Sequence, residues 1–136
     1  MTEQEKKRSL ARIRIQQAED SLDEARFLYE GRKSTRSVIN RIYYAMFYAI
    51  LALLIYEPFG SSKHTAVLSY FNLNFIKKGL IPIDLGRAVN KAFDLRQRAD
   101  YREIPNITQE QVEPYFEQTR RVIDSVSALL KASNRL

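Results

Sequence analysis

Apolar side chains recur along this chain at alternating steps of three and four residues, the spacing of amphipathic helices rather than strands. The first run, Ala11, Ile15, Ala18, Leu22, Ala25 and Tyr29, keeps one face inward. Thr2 and Glu5 have the spacing of a capping box, so a helix is expected from Thr2 to Gly31, a residue free to take the left-handed conformation that ends helices. A second helix opens at Ser34 or Thr35 and runs to Glu57, where Pro58 stops it. Its apolar residues come in pairs, Val38/Ile39, Ile42/Tyr43, Met46/Phe47 and Leu53/Leu54, with Ile50 between. That stripe is too wide for a surface helix and places this one at the centre of the molecule.

A third helix is expected after Gly60, capped by Ser61 or Ser62, carrying Val67, Leu68, Phe71, Phe75 and Ile76 and ending at Gly79. A fourth starts between Pro82 and Asp84, carries Leu85, Val89, Ala92, Phe93 and Leu95, and reaches Ala99. Tyr101 to Ile107 is the longest expected loop. The fifth helix runs from Thr108 to about Ala132, with Thr108 and Gln111 spaced as a second capping box. Pro114 is too deep for that start, so either the helix kinks there or it begins near Glu113. Short connections between long amphipathic helices predict an all-α, up-and-down bundle of about five helices, a single domain over residues 1–136.

Composition narrows the function classes. The chain has no cysteine, which excludes disulfides and thiolate metal sites and fits a cytoplasmic protein. Its N-terminus lacks the apolar stretch of a signal peptide. The longest uncharged run, Ile42 to Tyr56, contains four tyrosines and is shorter than the roughly 20 residues a membrane span needs, so it reads as a core helix and implies no membrane. The net charge of +6 permits nucleic acid, nucleotide phosphates or an acidic partner.

His64 is the only histidine, so a multi-histidine metal site and a Cys/His nucleophile pair are both excluded. No cofactor motif or glycine-rich phosphate loop is present. The carboxylates of the first helix, Glu19/Asp20 and Asp23/Glu24, read as a solvated face paired with neighbours such as Arg26. On the fourth helix Arg87, Lys91 and Arg98 share a face, with Arg96 and Arg102 close by. Guanidinium forks suit phosphate oxygens, and Tyr101 beside them offers a ring for a base or a hydroxyl for a phosphate. Arg41 stands apart, inside the most apolar stretch of the chain. A guanidinium there either snorkels outward or pairs with a carboxylate, and its role reads as structural.

Together, Asn40-Arg41-Ile42-Tyr43-Tyr44-Ala45-Met46-Phe47, Ser62-Lys63-His64, Phe75-Ile76-Lys77-Lys78-Gly79-Leu80, Leu85-Gly86-Arg87 and Ala92-Phe93-Asp94-Leu95-Arg96-Gln97-Arg98-Ala99-Asp100-Tyr101 resemble, in that order, the prokaryotic HEPN domain proteins. The resemblance implies a compact helical bundle, usually a homodimer, often encoded beside a small nucleotidyltransferase with which it forms a toxin–antitoxin pair. Many HEPN domains are metal-independent ribonucleases using an Arg, four to six intervening residues, and a His, brought together at the dimer interface. Here Arg96 fits the first place, and Tyr101 stands where the histidine belongs. An ordinary phenol, with a pKa of about 10, is a far poorer proton-transfer group at neutral pH than an imidazole near 6.5. No catalytic residue is therefore assigned. Alternating helices bring the start of the third helix to the end of the fourth, which groups Lys63, His64, Arg96, Arg98 and Tyr101 as nucleotide- or RNA-binding candidates and leaves Arg41 near the opposite end. Two functions follow. The first is a non-catalytic, dimeric HEPN module that binds nucleotide, RNA or a nucleotidyltransferase; the second is a divergent HEPN ribonuclease or toxin using Arg96 with His64 or Tyr101.

Overall fold

The computed structural model describes residues 1–101 and 107–136. Arg102 and most of the expected loop therefore lie outside the described residues.

Helix α1 spans Glu3–Glu30 and opens on the expected capping box, with Thr2 Oγ1 accepting from the Glu5 N–H at 3.1 Å and a Glu5 carboxylate oxygen accepting from the Thr2 N–H at 3.3 Å. Its end differs from expectation. Gly31 keeps a negative φ of −78°, and the left-handed residue is Arg32, at φ 54°. Helix α2 spans Thr35–Leu54, three residues short of Glu57, with the Ser34 hydroxyl accepting from the Ser37 N–H. Twelve of its residues are buried, which makes it the core helix that its paired apolar positions imply. Among the described residues it is the one helix long and apolar enough to cross a membrane, and 67% of the apolar window is already covered by the bundle.

Helix α3 covers His64–Phe71 and widens into a π-helical turn over Asn72–Ile76. Neither Ser61 nor Ser62 caps it. Lys63 holds the cap position without a side-chain bond, and the Ser61 hydroxyl instead accepts from the Lys63 N–H at 3.2 Å. Gly79, expected to end this helix, follows at a left-handed φ of +76°. Helix α4 spans Ile83–Asp100. Ile76, at the end of the π turn, sits so close to Gly86 that a Cβ there would meet its side chain at 2.9 Å.

Pro114 divides the last helix, and both readings of it hold in part. The capping box at Thr108 and Gln111 starts a single turn, α5, over Gln109–Val112. Helix α6, Pro114–Ala132, then begins afresh with proline in its first turn, where no N–H is missed. Side-chain pairs fix the directions. Glu19 and Glu113 pair with Arg120 and Arg26, so α6 runs against α1; Glu24 pairs with Arg41, so α2 also runs against α1. Arg36 meets Asp100 while Tyr44 meets Arg96, so α4 runs against α2. These partners also correct the pairing expected on α1: Arg26 goes to Glu113, leaving Glu19 to Arg120 and Glu24 to Arg41. The described residues form an all-α bundle packed around α2.

Candidate functional site

The middle of α2 presents Tyr43, Tyr44 and Phe47 within a single turn, and two other elements meet them there. His64, the first residue of α3, stacks on Phe47 with ring centroids 4.1 Å apart and planes 13° from parallel. The same ring lies 5.7 Å from Tyr43 and 5.8 Å from Tyr44, edge-on to the latter. Helix α4 contributes Arg96, whose guanidinium carbon sits 4.9 Å from the Tyr43 ring centre and 5.4 Å from that of Tyr44. Phe93, one turn earlier, tilts against Tyr43 at 5.5 Å. Two aromatic rings thus carry a histidine and an arginine side by side, each within cation–π or stacking range.

Hydrogen bonds set the protonation of this group. Tyr43 is fully buried, and its hydroxyl lies 2.8 Å from His64 Nδ1, its only polar partner among the described residues. A buried O–H needs an acceptor, so Tyr43 donates to an unprotonated Nδ1 and the imidazole carries its proton on Nε2. Burial, first, and then the positive charge of Arg96 hold the His64 pKa below its ordinary 6.5. Burial likewise pushes the Tyr43 hydroxyl well above the usual phenol range, with the Arg96 charge opposing it in part. At neutral pH the site therefore holds a neutral imidazole that donates from Nε2, a protonated phenol and one fixed positive charge.

Arg96 is largely covered, with 18% of its side chain exposed. Nη1 donates to the Tyr44 hydroxyl at a long 3.4 Å. Nε lies 3.5 Å from Asp100 Oδ2 as an ion pair, without hydrogen-bond geometry, and is buried with no hydrogen-bond partner among the described residues. The guanidinium is held in place by packing while much of its donor capacity stays unused. Such a group binds an oxyanion without first being ordered.

The five candidate residues do not all converge. His64 and Arg96 do, through Tyr43 and Tyr44. Lys63 is exposed at the cap of α3, Arg98 is exposed and pairs with Asp94 at 3.1 Å, and Tyr101 is 78% exposed at the end of α4. No polar contact ties these three to His64 among the described residues. Arg41 is not at the opposite end. Its guanidinium lies 5.3 Å from the Tyr44 ring, one turn of α2 from the site. The connection over residues 55–63 folds back along α2, so α3 begins beside its middle, and antiparallel α4 ends beside its first half, where Arg41 sits. Tyr43, Tyr44, Phe47 and Asp100 escaped the sequence reading as site residues. Arg96 and Asp100 did carry a signal, their i,i+4 spacing; the Tyr43–His64 bond joins residues 21 apart across a loop and leaves no periodic trace. Among the described residues no group of three or more His, Asp or Glu side chains could hold a metal ion.

The chain resembles known proteins along nearly its whole length. It is 34% identical over 118 residues to a UPF0332 protein of Thermotoga maritima, covering 87% of this chain and 89% of that one. Two proteins of Methanocaldococcus jannaschii, each named "Putative toxin", share 33% identity (86% of both chains) and 37% identity (79% of this chain and 71% of the relative). The sequence profile of the HEPN domain matches residues 11–129, a span that takes in α2, His64 and Arg96 alike. The chain belongs to the HEPN domain family.

Proposed function

We propose that this chain is the HEPN component of a two-component, toxin–antitoxin-type system: a cytoplasmic homodimer that binds nucleotide or RNA through Arg96 and His64, works with a small nucleotidyltransferase, and does not itself cut RNA. One observation carries the binding reading. A pre-positioned guanidinium and a neutral imidazole donor sit together against Tyr43 and the partly exposed Tyr44, a set of donors suited to phosphate with one ring at the surface for a base. The toxin names of the relatives support the system to which it is assigned. Cleavage is a different demand. Attack of a ribose 2′-hydroxyl needs a base, and the unprotonated nitrogen of His64 is already taken by Tyr43.

Fluorescence anisotropy of a labelled single-stranded oligoribonucleotide tests this directly. Binding should weaken as salt rises, and Arg96→Ala should weaken it at least about five-fold. The RNA should remain intact without metal, and the protein should co-elute with a nucleotidyltransferase encoded beside it. Binding that ignores salt, or no binding, would sink the phosphate reading. The ribonuclease alternative keeps one observation in its favour, the adjacency of His64 to Arg96, and needs no role for Tyr101. Metal-independent cleavage by the unmodified protein, lost in His64→Ala, would establish it instead.

A further inference from the structure

Beside the Arg96 site, a cleft of about 460 Å³ opens between the start of α2 and the end of α4, lined by Ser34, Arg36, Asn40, Arg41 and Asp100. Two of its walls are arginines, and a third is Asp100, the carboxylate that reaches Arg96 among the described residues. Asp100 is bridged: Oδ1 lies 3.5 Å from Arg36 Nε and Oδ2 lies 3.5 Å from Arg96 Nε. Neither contact has hydrogen-bond geometry, and buried Arg96 Nε has no hydrogen-bond partner among the described residues. Asp100 is also the last residue of α4, where a negative charge opposes the helix dipole. The carboxylate thus balances two guanidiniums without satisfying either and gains nothing from its own helix.

We infer that the cleft is a phosphate subsite continuous with the Arg96 site, in which Asp100 occupies the place of a phosphate until a ligand displaces it. Arg36, Arg41 and Arg96 are the ligating groups. Arg41 lines the cleft beside the Tyr44 ring, its Nε and Nη2 both donating to its neighbour Asn40 Oδ1 at 3.2 and 3.0 Å and its Nη1 to the exposed Glu24 carboxylate at 3.4 Å, a contact a phosphate would have to displace. A tetrahedral phosphate offers oxygens in several directions and suits Arg36 and Arg96, now joined only through Asp100, together with Arg41 on the cleft wall, better than the two oxygens of one carboxylate. The ligand class is a phosphate ester, either a terminal nucleotide phosphate or a diester of single-stranded RNA. This rests on the RNA- or nucleotide-binding reading above and extends it to residues outside the Arg96 pair.

The test is Asp100→Asn in the full chain, with a labelled single-stranded oligoribonucleotide as probe and a nucleoside monophosphate and inorganic pyrophosphate as competitors. Asparagine keeps the shape and removes the charge. Affinity for the oligonucleotide should rise about five- to ten-fold, and the slope of log affinity against log salt should steepen by about one phosphate contact. Arg36→Ala and Arg41→Ala, both at partly exposed positions, should each abolish that gain. Competition by the monophosphate at concentrations near those of pyrophosphate assigns a terminal phosphate; competition only by longer RNA assigns the diester. Unchanged or weaker binding in Asp100→Asn, with Arg96→Ala still impaired, overturns the subsite and leaves the proposed function standing. A gain that needs Arg36 and Arg41 but is indifferent to Arg96→Ala removes Arg96 as a ligating group and overturns both the subsite as stated and the role of Arg96 in the proposed function.

Discussion

Arg41 shows how one side chain can look more constrained in the sequence than it is in space. It begins the most apolar stretch of the chain, yet its guanidinium reaches Glu24, 3.4 Å away, and that carboxylate is 56% exposed. Losing Arg41 would leave Glu24 to water, not stranded in the core, so the 3–5 kcal/mol penalty of a broken buried pair does not apply. Arg41→Ala should cost about 1 kcal/mol, the sum of a weak ion pair and a surface cation–π contact, in a denaturant melt. A loss above about 3 kcal/mol would mean that the pair is sealed from solvent. His64 makes the opposite case, since an unremarkable histidine at a helix start proves to be locked by Tyr43. Its folded pKa lies below 6.5, so the native state resists a proton that the unfolded chain accepts. The His64 contribution to stability is complete above about pH 6.5 and is lost as pH falls from there through the folded pKa. As the only histidine it gives a single imidazole resonance to titrate by NMR. Tyr43→Phe should move that titration back toward 6.5, and a midpoint already at or above 6.5 in the unmodified protein would contradict the assignment.

At the scale of elements, caps and stripes were legible because they are local. Both capping boxes formed as spaced, at Thr2 and Thr108, and the paired apolar positions identified α2 as the core helix. What escaped was set by packing between elements. The π turn at Asn72–Ile76 follows no apolar periodicity, and it brings Ile76 onto Gly86. That contact explains a glycine inside α4, where propensity alone would favour alanine by about 1 kcal/mol. Gly86→Ala should nonetheless destabilise the protein by about 1–2 kcal/mol net, because the added Cβ overpacks against Ile76. Ile76→Val in the same background should recover part of the loss. A stabilised Gly86→Ala melt would show that the two elements are free to move apart.

For the whole molecule, bundle and family were readable from sequence because the resemblance lies in residues that build α2 and the end of α4. The site was half readable: Arg96 and His64 were named, but three exposed residues were named with them and Arg41 was placed at the wrong end. Topology decided that outcome, since the fold-back before α3 sets which residues of α2 face His64. The aromatic side chains are mostly packed inside the bundle and so give little support to dimerisation. Of eight Tyr and seven Phe, only Phe27 and Tyr101 are exposed, at 75% and 78%. The homodimer therefore rests on the family, with Leu10, Ile13 and Phe27 exposed along α1 as apolar surface. Light scattering should give about twice 15.9 kDa, and a monomer at micromolar concentration would count against the dimer.

The central claim is that Arg96 and His64 form a binding site without a base. A single incubation reads both halves of it: labelled single-stranded RNA with the purified protein in chelator, followed by anisotropy and then by gel. The account predicts salt-sensitive binding, lost or sharply reduced in Arg96→Ala, with the RNA recovered uncut. Cut RNA, with cutting abolished in His64→Ala, would contradict it.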